Sequence, residues 1–257
     1  MTRTRYLDLD DRTQDLNERM QEDPDLAGDF LQKYELSWMY HENALEGIIY
    51  TVQELVAGLA APQPVADAMV IGVLQEVRNH KAAIDLIRHE ASSKKSKVNL
   101  TLVKKIHETL YRGIQSKGPS DFRKDMPLHR AYFHEIPQPG KIPAMLAKVV
   151  DATDTSDFKK SHPVVQGARV QHGFMQVYPY TDGSGKVARL LANLYLIRAG
   201  FLPCVLHSID RQRYYDSFKM PEAVLRDLML EAMDNTLGHA EKHFAAAARA
   251  RARRTAR

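Results

Sequence analysis

The stretch from Tyr178 to Arg189 reads YPYTDGSGKVAR, and it decides how the rest of the chain is interpreted. Gly183, Ser184 and Gly185 stand directly before a run of helix-favouring residues. Glycine tolerates positive φ and close backbone approach, and backbone N–H groups at the start of a helix bind anions. The residues alone therefore predict an anion site at a loop-to-helix junction, although the same composition also occurs in plain turns.

Charged side chains accompany this loop. Asp182 offers a carboxylate of the kind that binds a hard cation such as Mg²⁺. Lys186 and Arg189 are three residues apart, so on a helix they lie on neighbouring positions and can face the same anion. Together these residues indicate a phosphate and metal site.

The surrounding sequence is dominated by helical periodicity. Apolar residues recur at spacings of three and four, which predicts a mainly α protein. One segment, 128–137, reads LHRAYFHEIP and is typical of a short strand or hairpin. Gly200 occupies the place of a helix C-cap. The predicted helices are 29–59 with a break near 40–46, 65–91, 101–112, 142–151, 163–177 and 185–198.

The loop resembles the motif of the Fic-domain (Fic/Doc) family, His-Pro-Phe-x-Asp/Glu-Gly-Asn-Gly-Arg-x-x-Arg. Two further segments are similar to family segments: Phe122-Arg123, at the end of a Gly-x-Phe/Tyr-Arg-like stretch, and the helix at 213–218. The resemblance covers roughly residues 40–235. Pro179, Asp182, Gly183, Gly185 and Arg189 match the motif, Tyr180 substitutes for Phe, and Tyr178, Ser184 and Lys186 depart from it.

This resemblance implies a Fic-type helical bundle with a short β-hairpin flap. It also implies transfer of AMP from ATP to a protein hydroxyl with Mg²⁺ as cofactor, ATP or another nucleotide being the bound partner. Asp182 would hold the metal, and the distal phosphates would meet Lys186 and Arg189. The backbone of Gly183, Ser184 and Gly185 would cradle phosphate. The flap, which would dock an unknown protein target, corresponds to Leu128, His129, Arg130, Ala131, Tyr132, Phe133 and His134.

Tyr178 stands where the family carries its catalytic histidine. A general base works best when it titrates near the working pH; histidine does so at about 6.5, whereas tyrosine titrates near about 10. We therefore expect lost or strongly reduced AMP transfer. His172, six residues before Tyr178, points to another helix face and is a poor replacement.

Glu46-Gly47 resembles the end of the family's inhibitory helix, Ser/Thr-x-x-x-Glu-Gly/Asn, with Glu42 in place of the hydroxyl residue. In that resemblance the glutamate pairs with the second motif arginine, here Arg189, and obstructs productive ATP binding. The residues alone are equally compatible with a solvated face of an amphipathic helix.

Composition sets the remaining limits. The chain of 257 residues has one cysteine, Cys204, and no apolar run long enough for a signal peptide or a membrane span, so we expect a cytoplasmic protein without a membrane partner. Nine acidic residues crowd 1–30, and five arginines crowd 245–257. We divide the chain into an acidic extension over 1–35, a Fic domain over 36–244 with an inhibitory-type helix near 42–58, and an Arg-rich tail over 245–257.

Two alternatives to an impaired Fic protein stay open on the sequence alone. One is an active nucleotidyl- or phosphotransferase that uses a non-standard base. The other is a non-catalytic nucleic-acid or scaffold module acting through the Arg-rich tail; that tail has no aromatic residues for base stacking, which disfavours nucleic acid. The oligomeric state is open as well, with a dimer as one option.

Overall fold

The computed structural model describes residues 2–60, 68–93, 97–114, 121–127 and 134–255. Its regular structure within these ranges is helical, which confirms the predicted mainly α class. The α-helices are α1 Thr2–Glu22, α2 Pro24–Leu45, α3 Val52–Leu59, α4 Ala68–Ser92, α5 Leu100–Leu110, α6 Ile142–Ala152, α7 Ser156–Lys160, α8 Pro163–Val177, α9 Ser184–Arg198, α10 Arg211–Asp216 and α11 Glu222–Thr255. Short 3₁₀ segments lie at Pro139–Lys141, Ser208–Asp210 and Ser217–Lys219.

Side-chain caps specify where several of these helices begin. Asp23 accepts a hydrogen bond from the N–H of Leu26 at the start of α2. Thr51 and Glu54 form a reciprocal capping box on α3, and Asn99 caps α5. Each cap satisfies backbone donors that the first helical turn leaves without a partner inside the helix.

Helix α9 lies at the centre of the molecule. Every residue from Ser184 to Leu196 is buried, because α8 and α4 pack against α9 and α11 packs against α8. A helix covered all round is normally apolar all round, yet α9 carries Lys186 and Arg189 inside the structure. The fold therefore has to supply polar partners for these two cations.

The helix predicted over 29–59 is two helices, α2 and α3, and the break lies later than 40–46. The chain turns at Gly47, which has a φ of +85°. The N–H of Ile48 donates to the carbonyl of Asn43 at 3.0 Å, the Schellman pattern that ends a helix at glycine. Consequently Glu46 is the C-cap of α2 and does not lie within a helix running from 42 to 58.

The predicted flap falls mostly outside the described residues. Leu128 to Phe133 are not described, and the following segment, His134 to Pro137, has no strand. The β-hairpin and its role in target docking therefore stay predictions.

Both predicted domain boundaries fall inside helices. The boundary after residue 35 lies in α2, and the boundary after residue 244 lies in α11. Arg251 of α11 pairs with Asp23 at 2.6 Å, which ties the C-terminal helix to the start of α2. Within the described part of the chain, every helix is too short or too polar to cross a membrane.

We expect removal of residues 245–257 to leave the fold intact. Among the side chains of α11 that the structure describes, Phe244 is the last large buried one, and it lies just before the deletion. In the Arg251–Asp23 pair the arginine side chain is 66% exposed, and a surface pair of this kind contributes little. Thermal unfolding of the full and the shortened chain should differ in Tm by no more than about 4 °C. A larger drop would show that the last turns of α11 are part of the core.

Candidate functional site

The loop begins with a backbone turn at Tyr178. This residue ends α8 with φ 46° and ψ 65°, in the left-handed region that non-glycine residues seldom occupy. Its N–H still donates to the carbonyl of Phe174 at 2.9 Å, and only 2% of the residue is exposed. The turn directs the chain away from α8 so that the glycine loop can start α9.

Arg123 holds this turn in place. Its Nε donates to the carbonyl of Tyr178 at 2.8 Å, and its backbone N–H donates to the carbonyl of Pro179 at 2.8 Å. A second guanidinium nitrogen donates to the carbonyl of Pro137, on the segment after the predicted flap. Burial lowers the pKa of Arg123, against the influence of Tyr178. The Phe122-Arg123 segment therefore holds the loop through main-chain carbonyls.

Ser184 closes the loop onto itself. Its hydroxyl accepts from the N–H of Tyr180 at 2.9 Å and donates to the carbonyl of the same residue at 2.8 Å. The ring of Tyr180 stacks on His107 at 3.7 Å between centroids. The side chain at position 184 thus faces the backbone of the loop, which leaves only its N–H group for a ligand.

His107 supports the loop from α5. Burial lowers its pKa to about 4, so the ring is neutral at pH 7 and its Nε2 donates to the carbonyl of Asp182 at 3.1 Å. His107 is not among the site residues predicted from the sequence. His107 follows Val103 by four positions and precedes Leu110 by three, so its place on the apolar face of α5 was a usable signal.

The anion cradle lies at the start of α9. Gly183 caps the helix with a φ of +82°, and the N–H groups of the first turn have no partner within the helix. A Cβ on Gly185 would overlap Oε1 of Glu46, and a Cβ on Gly183 would overlap the hydroxyl of Tyr111. The carboxylate of Glu46 therefore lies against Gly185, in the first turn of α9.

Arg189 is bound through each of its three nitrogens. Nε donates to Oε1 of Glu42 at 2.5 Å, Nη2 donates to Oε1 of Glu46 at 2.7 Å, and Nη1 donates to the hydroxyl of Tyr214 at 3.1 Å. The guanidinium is buried, as is Glu42, whereas the side chain of Glu46 is 15% exposed. The structure thus brings together the predicted pair of Glu46 and Arg189 and adds Glu42 to it.

Opposing effects act on the titration of this cluster. Burial raises the pKa of Glu42, and Arg189 lowers it. Burial by itself lowers the pKa of Arg189, but Glu42, Tyr214 and Glu46 outweigh it, so the net direction is upward. From the sequence, Glu42 is only a departure from the family motif. Its spacing of four from Glu46, which lets both side chains face the same direction on a helix, was the available signal.

The other cation of the loop also contacts α2. Nζ of Lys186 donates to Oδ1 of Asn43 at 2.6 Å, and Nδ2 of Asn43 contacts Nδ1 of His80 at 3.1 Å. Burial, followed by Lys186 and Arg189, lowers the pKa of His80 well below its usual value. The C-terminal turn of α2 therefore supplies a polar partner for both cations of α9, and sequence reasoning found neither Asn43 nor His80.

A divalent cation would depend on the nucleotide for most of its ligands here. Asp182 is exposed at the mouth of the loop, but the described residues contain no cluster of three His, Cys, Asp or Glu side chains placed for a metal. Mg²⁺ is commonly bound by one or two carboxylates together with substrate phosphates and water. Asp182 fits that mode of binding.

His134 is the one predicted flap residue that the structure describes. It is buried, and its Nε2 donates to the carbonyl of Met175 at 2.8 Å. His134 therefore lies inside the protein, because a main-chain acceptor on α8 draws the ring inward. His129 lies outside the described residues.

Comparisons with known proteins place the chain among similar sequences and structures. Residues 97–196 match the Fic/DOC family. The chain is 24% identical over 180 residues to the protein adenylyltransferase Fic of Culex quinquefasciatus, covering 69% of this chain and 35% of the relative. It is 25% identical over 178 residues to the protein of the same name in Nematostella vectensis, covering 69% and 41%. The chain thus spans about a third to two fifths of the length of these curated relatives.

Solved structures share the fold at low sequence identity. A Fic domain containing signaling protein from Bacteroides thetaiotaomicron superposes with a TM-score of 0.74 at 18% identity, covering 91% of this chain and 97% of the other. Fic-1 from C. elegans gives 0.76 at 20% identity, covering 94% and 72%. A variant of IbpAFic2 in complex with adenylylated Cdc42 gives 0.52 at 16% identity, covering 89% and 88%.

Proposed function

This chain belongs to the Fic/DOC family, and from that premise we propose that it binds a Mg²⁺–nucleotide at the Gly183–Gly185 loop while transferring AMP at a strongly reduced rate. The relatives are named adenylyltransferases, and one structural neighbour is bound to an adenylylated protein. AMP transfer to a protein hydroxyl is therefore the reaction whose rate we propose to be reduced in this chain. Its cofactor would be Mg²⁺, and its nucleotide ATP or a close analogue.

The reduced transfer rests on Tyr178. A general base must come within hydrogen-bond reach of the hydroxyl that it deprotonates, and it should titrate near the working pH. Tyrosine titrates near about 10, so at pH 7 roughly one side chain in a thousand is ionised. In addition, Tyr178 is only 2% exposed, held by Arg123 at the turn into the loop. Because so little tyrosine is ionised at pH 7 and because Tyr178 is buried, this side chain is a poor general base for a protein substrate.

Nucleotide binding rests on the cradle. Gly183 has a positive φ, which suits a close backbone approach to an anion, and the carboxylate of Glu46 lies against Gly185 at the start of α9. The N-terminus of a helix carries partial positive charge, which stabilises a carboxylate there in the same way as a phosphate. Glu46 supports the proposal because it is an anion already held there by the chain itself.

We expect Glu46→Ala to tighten binding of a Mg²⁺-bound, non-hydrolysable ATP analogue by about tenfold. The change removes the competing carboxylate from the cradle and relieves its repulsion of phosphate. A phosphate that gains one charged hydrogen bond in its place gains about 1.5–3 kcal/mol, which accounts for a factor of that size. Calorimetric titration of the wild type and the variant measures the effect.

Two controls make the test specific. Glu18→Ala removes an exposed carboxylate from α1, far along the chain from the loop, and should leave the Kd unchanged. Asp182→Ala in the Glu46→Ala background should abolish the dependence of binding on Mg²⁺. If no variant binds the analogue, the chain does not use the loop for nucleotides and the proposal is wrong.

A further inference from the structure

We infer that Glu42 holds Arg189 independently of Glu46. Displacement of Glu46 then opens the cradle without releasing the arginine. As a result, the site binds nucleoside diphosphates and nucleoside triphosphates with equal affinity. This inference rests on the proposed nucleotide binding. It assigns Glu42 the part of a positioning residue that sets phosphate-number specificity through Arg189. Neither the family motif, which has a hydroxyl residue at this position, nor the pairing of Glu46 requires it.

The two carboxylates hold Arg189 at different atoms. Glu42 accepts from Nε at 2.5 Å and its main-chain carbonyl lies 3.5 Å from Nη2, whereas Glu46 accepts from Nη2 at 2.7 Å. Because the Nε contact does not involve Glu46, it persists when Glu46 leaves. Nη1 is fixed separately by the hydroxyl of Tyr214, whose ring lies 5.4 Å below the guanidinium.

The two carboxylates also differ in their freedom to move. The side chain of Glu42 is 4% exposed and lies in the last turn of α2, whereas that of Glu46 is 15% exposed at the C-cap, beyond the helical residues. Removing one partner of a buried ion pair leaves an uncompensated charge, which costs several kcal/mol. A nucleotide can therefore displace Glu46 far more readily than Glu42.

The end of α2 is itself anchored. The carbonyl of Leu45 accepts from Nε of Arg211 at 2.9 Å and from the hydroxyl of Tyr215 at 3.1 Å. One turn earlier, Nδ1 of His41 accepts from the N–H of Ser208 at 3.2 Å. These contacts join α2 to α10 and the segment before it, so Glu42 cannot withdraw from Arg189 by a shift of the helix end.

The consequence concerns the third phosphate. By the resemblance to the family, Arg189 would meet a distal phosphate, but the carboxylate of Glu42 already balances the positive charge of its guanidinium. A nucleoside triphosphate then gains nothing over a diphosphate from this residue. Freeing the arginine should restore a preference for the triphosphate of roughly tenfold or more, the size of one charged hydrogen bond.

The experiment compares the Kd of Mg-ADP with that of a non-hydrolysable Mg-ATP analogue. In the Glu46→Ala protein the two values should agree within about twofold, whereas adding Glu42→Gln should favour the ATP analogue by roughly tenfold or more. Glu35→Gln in the same background is the matched control, because Glu35 is another partly buried glutamate of α2 that pairs with a different arginine, Arg88. It should leave the ratio unchanged.

A tenfold preference for the ATP analogue in Glu46→Ala alone would overturn the inference, since it would mean that Glu42 does not restrain Arg189. An unchanged ratio after Glu42→Gln would overturn it as well. A merely structural role of Glu42 would weaken both nucleotides together and leave the ratio near one.

A second measurement uses no nucleotide and does not depend on whether the Glu42 variant folds. Hydrogen exchange of the Arg189 Nε–H, assigned by its loss in Arg189→Lys, should stay as slow in Glu46→Ala as in the wild type. Faster exchange by tenfold or more would contradict the inference. If no protein binds either nucleotide, the proposed function fails, whereas this exchange rate still decides whether Glu42 holds Arg189 without Glu46.

Discussion

Tyr178→His is expected to raise AMP transfer by roughly 10²- to 10⁴-fold when it is introduced into a chain that already carries Glu46→Ala, Ser184→Asn and Lys186→Arg. That range is what a positioned general base usually contributes, and histidine titrates near pH 7 whereas tyrosine does not. The two proteins compared differ only at position 178. Incorporation of labelled AMP from ATP, into the chain itself and into proteins of a cell lysate, measures the rate.

The background is needed because the structure shows several groups of the loop already engaged. Glu46 covers Gly185, and Lys186 is held by Asn43 at 2.6 Å. Lys186→Arg introduces a planar fork that can bind phosphate through two nitrogens. Tyr178→His alone should therefore restore little activity.

Position 184 requires a separate control. Ser184 makes two hydrogen bonds to the backbone of Tyr180, and an asparagine there has to reproduce them with its amide. Equal Tm values for the background with and without Tyr178→His would show that any gain in rate comes from chemistry and not from refolding of the loop. Robust labelling by the wild-type chain would refute the idea that Tyr178 impairs it.

The helices around the site could be predicted because their ends carry local signals. Pro163 suits the first position of α8, and Gly200 follows α9 at a φ of +87° with the hydrogen bonds of a helix C-terminus. Both bounds therefore agree with the sequence. Local chemistry fixes such ends, so a single sequence contains them.

The turn between α2 and α3 shows where periodicity misleads. Ile48, Ile49 and Val52 have the spacing of a helix face, yet Ile49 is 73% exposed and Val52 is 64% exposed. The glycine turn after Glu46 outweighs the apolar pattern, because Gly47 closes the helix with main-chain hydrogen bonds. Of these three residues only Ile48 packs against the core, so the apolar spacing does not mark a buried helix face.

In the candidate site, too, local features could be predicted from the sequence and tertiary contacts could not. The loop residues follow one another in the chain, so the motif alone indicates Asp182, Gly183 and Gly185. Two partners of these cations, Glu42 for Arg189 and Asn43 for Lys186, come from α2, more than a hundred residues earlier, and only the tertiary fold brings them to α9. Such partners depend on tertiary contacts, which spacing within one segment does not reveal.

Arg189→Met is expected to lower the free energy of unfolding by about 3–5 kcal/mol at pH 7. The change keeps most of the side-chain volume but leaves the carboxylate of Glu42 buried without its cation, and breaking a buried pair in this way carries a cost of that size. Urea unfolding of both proteins measures it. Adding Glu42→Gln should recover most of the loss, because the neutral amide removes the buried charge while Glu46 keeps some access to water.

The loss should also shrink as the pH falls. In the wild type burial and Glu46 raise the pKa of Glu42, whereas Arg189 and, to a smaller extent, Lys186 lower it, so loss of Arg189 raises this pKa further. A carboxyl group with a raised folded-state pKa stabilises the fold below its unfolded value of about 4.3, and that stabilisation is lost as the pH rises through the folded-state pKa. The difference between wild type and variant should therefore be smaller at pH 5 than at pH 7.

Buried histidines also change the free energy of unfolding with pH, but His41 and His107 do so in the wild type and in the Arg189→Met variant alike. His41 and His107 have pKa values lowered by burial to about 4, so both proteins lose stability as the pH falls from about 6.5 toward that value. His80 is different, because Arg189 contributes to its lowered pKa and the substitution relieves that effect. The protein with Arg189→Met and Glu42→Gln isolates the part due to His80. If its pH dependence equals that of Arg189→Met alone, Glu42 is not the group that titrates, and the buried pair does not determine the stability of this site.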